Sequence, residues 1–264
     1  LESGVKTFHC WKKQGHGKVD LNEAIKVSCD VYFYQIAREI GINKIAEVCK
    51  RFGLGKQVFN EFIEESNGLV PNKSWKKETL GTSWMVGETL SAGIGQGYFL
   101  ATAAQLSLAL AQLVNGGKKI NPHIVYGKQI SFENDEINLA SKSHIKIVQK
   151  ALDDATNSVN GTSYGSRITG KYKMGGKTGT SQVRVISSKE REDGIIKNKD
   201  LPWEMRDHGL FIGYGPVEKP IYSISVIVEH GGSGSGSAAP IASKIMKYIF
   251  KNKINLKSKN LINV

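Results

Sequence analysis

The last hundred residues hold three segments, KTGTSQVRV (177–185), GLFIGYGP (209–216) and IYSISVIVEH (221–230), in which β-branched and aromatic residues alternate with small or polar ones. A period of two reads as half-buried strands. The last two are separated only by a short P-V-E-K-P turn (216–220), so they pair as consecutive antiparallel strands. APIASKIMKYIF (239–250) then reads as a closing helix, and everything ahead of the strands is rich in helical patterns. A helical block followed by antiparallel strands with a final helix predicts an α+β fold, an antiparallel sheet with a helical subdomain. The chain divides into a mainly helical and loop part over 1–160 and a strand part over 161–264. A chain of 264 residues needs no staples, because it can bury about 70–75% of its unfolded surface.

Within the helical block, Asp20 with Glu23 three residues on forms a capping box that opens VDLNEAIKV. The pattern breaks at Ser28-Cys29-Asp30, resumes in VYFYQIAREI up to Gly41, and continues as KIAEVCKRF, with Asn43 as its cap and Gly53 as its stop. SCD therefore sits at a junction between two helices. Cys49, on a face with Ile45, Val48 and Phe52, reads as a core residue. Residues 54–100 read as loop, anchored by Trp75 and Trp84. ATAAQLSLALAQLVNGG (101–117) is the longest buried helix candidate and SHIKIVQKALDDATNSV (143–159) an amphipathic one. SSKEREDGIIKNKD (187–200) reads as a solvated loop beside the first strand, GGSGSGS (231–237) as a turn-forming loop, and KSKNLINV (257–264) as a frayed polar tail. His208 and His230 flank apolar strands and read as hydrogen-bonded structural residues rather than ligands.

The net charge of +12 favours an anionic neighbour, yet the lysines lack the aromatic interleaving of an RNA-binding sheet, so no nucleic-acid partner is expected. No apolar run approaches the length that spans a bilayer. Three cysteines give no even disulfide framework. Cys10, His16 and Cys29, spaced C-x5-H-x12-C, are either two reduced thiols and a loop histidine or three ligands of a zinc site with its fourth position open. Gly176-Lys177-Thr178 mimics the end of a phosphate-binding loop, but Lys171 stands where the first glycine would be and a strand, not a helix, follows. The glycine-framed K-T-G-T is then a bulge in a surface hairpin or a strand edge open to a ligand.

K-T-G on a strand, with S-x-D at a helix junction, resembles the penicillin-interacting serine acyl-enzymes. GHGKVDLNEAIKVSCDVYFYQIA, PNKSWKK, IGQGYFLAT, KTGTSQV, DHGLFIGYGP and EHGGSGSGSAAPIA, in this order, are similar to the transpeptidase domain of the penicillin-binding protein 2 family. These are class B, monofunctional peptidoglycan D,D-transpeptidases of cell elongation. The resemblance implies a penicillin-binding/serine β-lactamase-like fold and a serine acyl-enzyme formed on D-Ala-D-Ala stem peptides or β-lactam antibiotics. It implies catalytic roles for Ser28 as proton relay, with Asp30 and Lys177, and substrate binding by Thr178, Gly179, Thr180 and Ser181, the Thr180 N–H forming half of the oxyanion hole. Gly175, Gly176 and Gly179 would keep the strand edge clear for substrate. It implies further a site at the periplasmic face of the inner membrane, with an anchor upstream, and elongation-machinery membrane proteins as partners. No cofactor is required; a structural zinc at Cys10, His16 and Cys29, with a fourth ligand from an upstream Asp, is the candidate metal. The alternative is a non-catalytic β-lactam-binding sensor or scaffold.

The family's nucleophile lies in an S-x-x-K several tens of residues before S-x-N, whereas only 27 residues precede Ser28. Ser3-Gly4-Val5-Lys6 stands too near, and Gly4 is a poor residue just inside a helix. LESGV reads instead as the end of the helix that would carry the true serine. The expectation is a domain truncated at its N-terminus whose isolated chain forms no acyl-enzyme.

Overall fold

A computed structural model of the chain describes residues 1–3, 6–59, 64–124, 135–186, 190 and 193–252. Its centre is the antiparallel sheet expected from the alternating segments: β3 (Gly175–Ser181), β4 (His208–Gly215) and β5 (Tyr222–Val228) lie in that spatial order. Lys177 stands opposite Ile212, and Ile212 opposite Ser225. The period of two sorts β4 between two cores. Phe211 points to one face, where it meets Met174 just ahead of β3 and, from the closing helix α7 (Ala239–Lys251), Ala242, Met246 and Phe250. Tyr214 points to the other, against Leu110 and Val114 of α5 (Ala103–Val114) and Leu152 of α6 (Lys142–Asn157). Helices thus cover both faces of a strand that is itself in the middle.

The first strand stops at Ser181, short of the expected Val185, because side chains capture the next backbone groups. Gln182 N–H donates to Gln96 Oε1 at 3.4 Å and Val183 N–H to Asp207 Oδ1 at 3.2 Å. Arg184 and Glu190 then form a two-pronged ion pair within the charged segment.

The glycines of this sheet serve packing. A Cβ on Gly176 would lie 2.4 Å from the Phe211 ring and from the Ile212 carbonyl, and one on Gly175 would lie 2.8 Å from the Tyr214 ring. Both residues are buried. The expectation that they clear the edge for substrate is therefore corrected: they let β3 lie close to β4 and its aromatic side chains. The Gly/Ser run at 231–237 is only in part the expected turn-forming loop: residues 231–233 are non-helical, whereas the rest is π-helical and runs directly into α7. Its π-helical part, Gly234–Ala238, lies so close across β3 and β4 that a Cβ on Gly234 would be 2.2 Å from Leu210 O and 2.4 Å from Gly179 O.

In the helical block, Asp20 caps α1 (Leu21–Lys26) by accepting from Glu23 N–H at 2.8 Å. After SCD, α2 (Asp30–Arg51) runs on with one kink at Gly41, where φ is 73°. Asn43 does not cap its own segment; its side chain accepts from Lys73 N–H at 3.3 Å, at the start of α3 (Lys73–Leu80). The Cys49 face is only half-buried, since Val48 beside it is exposed.

Residues 54–100 are more ordered than a loop, because α3 and α4 (Val86–Gly93) form there. Asn72 caps α3 through Trp75 N–H at 2.8 Å, and buried Lys76 bonds Glu88 at 2.5 Å. Trp75 and Trp84 both pack on Tyr98, as anchors. The first residues are also not a helix end: β1 (Glu2–Ser3) pairs antiparallel with β2 (Lys6–Thr7), leading into Phe8, which packs on Tyr34 and Leu90. The 257–264 tail lies outside the described residues.

Gly176→Ala should destabilise the fold by about 1–3 kcal/mol, the cost of an overpacked core position. Gly165→Ala, where a Cβ meets nothing within 4 Å, should be near neutral in the same urea titration. Equal midpoints would contradict the packing role.

Candidate active site

The site is built where α1 ends. Ser28 N–H donates to Ile25 O at 3.2 Å and Cys29 N–H to Ala24 O at 2.9 Å, the pair of bonds that closes a helix through a left-handed residue. That residue is usually glycine. Here it is Ser28, with φ 56°, a conformation that costs a side-chain-bearing residue roughly 1–2 kcal/mol. A side-chain-bearing residue held in this region is an outlier of the kind that clusters at functional sites.

Trp11 clamps this junction. Its indole N–H donates to Ser28 O at 2.8 Å and Val27 O at 3.2 Å, while its backbone N–H donates to Asp30 Oδ2 at 2.9 Å. Asp30 is the first residue of α2, where a carboxylate meets the positive end of the helix. Burial nevertheless raises its pKa; the Trp11 N–H, the Cys10 thiol and the Lys177 charge oppose this only in part.

Lys177 reaches the junction from β3. Its ammonium donates to Ser28 Oγ at 2.9 Å and to Thr178 O at 3.0 Å. The residue as a whole is half-buried, but its ammonium end lies deep, and burial lowers its pKa to about 8 against the weaker pull of Asp30 in the other direction. At neutral pH it stays mostly protonated. An ammonium only donates, so Ser28 Oγ must accept from it, which leaves the hydroxyl's own hydrogen for another acceptor.

Among the described strands β3 is an edge. Thr178 O and Thr180 O both accept from the side away from β4, from Lys177 Nζ and from Gln96 Nε2 at 2.6 Å. A strand residue's N–H and C=O point the same way, so the Thr180 N–H also faces that open edge. The hydroxyl of Thr178, a residue expected to bind substrate, donates to Thr162 Oγ1 at 3.0 Å. Thr162 N–H donates in turn to Lys26 O at 3.2 Å, which ties β3 to the end of α1. Thr180 is exposed, Gly179 lies under Gly234, and Ser181 closes the strand opposite His208. The side chains of Ser3 and Lys6 lie outside the described residues.

Sequence reasoning gave no role to Thr162 or Gln96. Thr162 carries no local signal. Gln96 does, as a lone amide between Gly95 and Gly97, both with positive φ.

Cys10, His16 and Cys29 come together beneath the junction, with candidate ligand atoms all within 4.8 Å of one another. Cys10 Sγ is 3.4 Å from His16 Nδ1, and the His16 Nε2 is buried without a hydrogen-bond partner. Two thiols and an imidazole at that spread suit zinc in residue type and number, with one position left for a further ligand. His208 and His230 are structural, as expected: His230 N–H donates to His208 Nδ1 at 2.9 Å, and His230 Nδ1 bonds Arg206 O at 2.9 Å.

A buried strand lysine bonded to a serine at a helix junction, beside an open strand edge, is the arrangement of the penicillin-interacting acyl-enzymes. Residues 2–247 match the family model described as penicillin binding protein transpeptidase domain, and the chain belongs to that family. It is 36% identical over 262 residues to the peptidoglycan D,D-transpeptidase MrdA of Haemophilus influenzae, covering 96% of this chain and 40% of that protein. It is 38% identical over 251 residues to MrdA of Acinetobacter baumannii, covering 91% of this chain and 36% of that one. The chain thus spans about two-fifths of these relatives. Among solved structures, the complex of penicillin-binding protein 2 with MreC from Helicobacter pylori superimposes with a TM-score of 0.83 at 32% identity, over 96% of this chain and 44% of that one. Penicillin-binding protein 2 of Pseudomonas aeruginosa in complex with WCK 5153 gives 0.79 at 33% identity, over 94% and 51%.

Substituting Ser28 tests the strain. Ser28→Gly and Ser28→Ala both lose the hydroxyl, but only glycine relaxes the left-handed backbone, so the glycine variant should be more stable by about 1 kcal/mol in urea unfolding. Equal stability, or a more stable alanine variant, would contradict a strained Ser28.

Proposed function

We propose that the protein carrying this chain is a peptidoglycan D,D-transpeptidase of cell elongation and a target of β-lactams. The observation that carries this reading is the 2.9 Å bond from Lys177 Nζ to Ser28 Oγ, because it leaves the Ser28 hydroxyl hydrogen free to be donated, beside a strand edge on which Thr180 is exposed. The substrate is a stem peptide ending in D-Ala-D-Ala, laid along β3. The serine of the family's S-x-x-K, in a part of the protein beyond this chain, attacks the penultimate D-Ala carbonyl as its proton passes to the lysine of that motif, and the carbonyl oxygen turns toward the Thr180 N–H as negative charge develops on it. On collapse the C–N bond breaks. Ser28 passes its hydrogen to the departing D-Ala amine and takes a proton from Lys177, which lowering of its pKa to about 8 makes a competent donor. An amine of a neighbouring stem peptide then attacks the ester and forms the cross-link, its proton returning through Ser28 to Lys177, while the lysine of the S-x-x-K gives its proton to the leaving serine oxygen. Asp30 and Trp11 position Ser28, while Thr178, Gly179, Thr180 and Ser181 form the substrate edge. A β-lactam enters the same path and stops at the ester.

Catalysis takes place at the periplasmic face of the inner membrane, with the anchor in a part of the protein beyond this chain. No helix among the described residues is long and apolar enough to cross a membrane. Elongation-machinery membrane proteins are the proposed partners, supported by the likeness to the Helicobacter pylori complex with MreC. Cys10, His16 and Cys29 would hold a structural zinc. Bound there, it would brace the loop that carries Trp11 and so the backbone of Ser28.

Fluorescent penicillin should label the full-length protein covalently, and Lys177→Ala should slow labelling at least 100-fold. Above about pH 8 the wild-type rate should fall, because Lys177 loses the charge that attracts the ligand carboxylate and supplies the proton. Labelling that ignores Lys177, or a rate that keeps rising past that pH, would contradict these roles.

For the metal, elemental analysis should give close to one zinc per chain, reduced by Cys10→Ser or Cys29→Ser, with a chelator lowering the Tm of the wild type only. A metal-free protein whose Tm ignores chelator and added zinc would remove this part of the proposal.

A further inference from the structure

The outer edge of β3 carries the groups on which an extended donor peptide would pair. One of them is already taken. Gln96 Nε2 donates to Thr180 O at 2.6 Å, and Gln96 Oε1 accepts from Gln182 N–H at 3.4 Å. A primary amide offers a donor and an acceptor side by side, as a residue of an added strand does. One side chain therefore stands in, at this step of the edge, for the strand that is missing.

The overlap with substrate follows from pairing geometry. In a hydrogen-bonded antiparallel pair, two opposed residues exchange both N–H···O bonds. A donor whose reacting carbonyl sits on the Thr180 N–H must offer its own N–H to Thr180 O. The Gln96 amide holds that same oxygen.

Gln96 can leave. It sits half-buried in the connection between α4 and α5, between Gly95 (φ 75°) and Gly97 (φ 82°). A Cβ on Gly95 would meet nothing within 4 Å, so glycine stands there for its backbone freedom rather than for space. Releasing the side chain frees two groups, Thr180 O and the Gln182 N–H, and the arriving peptide's N–H takes the first.

We propose that Gln96 is a placeholder in the acyl-donor subsite, resting on the acyl-transfer reading above: its carboxamide satisfies and orders the Thr180 edge when the subsite is empty, and the backbone N–H of the donor displaces it. Gln96 is thus a positioning residue that competes with ligand for one carbonyl. Selection follows from the competition. A ligand with an N–H at the position of the penultimate residue regains the bond that Gln96 gives up, whereas one without it makes no bond to Thr180 O.

The test uses the full-length protein and a penicillin whose side-chain amide supplies that N–H. Gln96→Ala should raise the second-order acylation rate constant roughly threefold to tenfold, the scale of one net hydrogen bond removed from competition. Its Tm and circular dichroism report whether the variant is folded. A depsipeptide analogue that lacks the N–H should gain less from Gln96→Ala than the amide ligand does, because it does not compete with the glutamine for Thr180 O. An unchanged or lower rate in a folded variant would overturn the proposal and make Gln96 a permanent buttress.

The side-chain NH2 resonances of Gln96 provide the second readout. They should move toward solvent-exposed values when penicillin or a D-Ala-D-Ala peptide is bound. If wild-type protein formed no adduct, the acyl-transfer reading would fall by itself, and the peptide titration would decide the placeholder: movement of these resonances supports it, and their constancy at saturating peptide overturns it.

Discussion

One hydrogen bond joins the two halves of this molecule's chemistry: the Lys177 ammonium on β3 donates to the Ser28 hydroxyl between α1 and α2, across 149 residues of chain. A buried ammonium without partners is costly, so Lys177 needs the oxygens of Ser28 and Thr178 as much as Ser28 needs an oriented donor. Each end is held by structure built for it. On the sheet side, Gly175 and Gly176 let β3 settle against Tyr214 and Phe211, and Gly234 lies over Gly179. On the helix side, a left-handed Ser28 closes α1 while the Trp11 indole fixes the Ser28 carbonyl.

The same economy governs the strand edge. An edge strand invites pairing, and proteins usually block it. Here Lys177 takes the Thr178 carbonyl, Gln96 takes the Thr180 carbonyl, and Asp207 takes the Val183 N–H beyond the end of the strand. These covers are side chains, which can move, rather than another strand, which cannot. The edge stays closed to aggregation and open to a ligand that brings its own backbone groups.

Much of this was legible in the sequence for a physical reason. Alternation along GLFIGYGP predicts a strand with two faces, and Phe211 and Tyr214 do enter different cores. The Asp20 cap and the break at SCD mark helix ends that the structure shares. What failed was decided by contacts between distant residues. Asn43 looks like a cap but bonds Lys73, thirty residues away. The helices at 73–80 and 86–93 are joined by the Lys76–Glu88 ion pair, and Tyr98 packs between two tryptophans, contacts that have no periodic signature. Gly175 and Gly176 suggest clearance for substrate because sequence shows that a side chain is missing, not what occupies its place. Thr162 and Gln96 join the site through tertiary contact alone.

The most direct test of the central bond is a double-mutant cycle on penicillin acylation of the full-length protein with Ser28→Ala, Lys177→Ala and the pair. If the two side chains act as one proton-transfer unit, the double variant will be little slower than the slower single variant, a coupling of roughly the size found for residues that share a network. If the two losses multiply, Ser28 and Lys177 act independently, and the bond between them is not what the chemistry depends on.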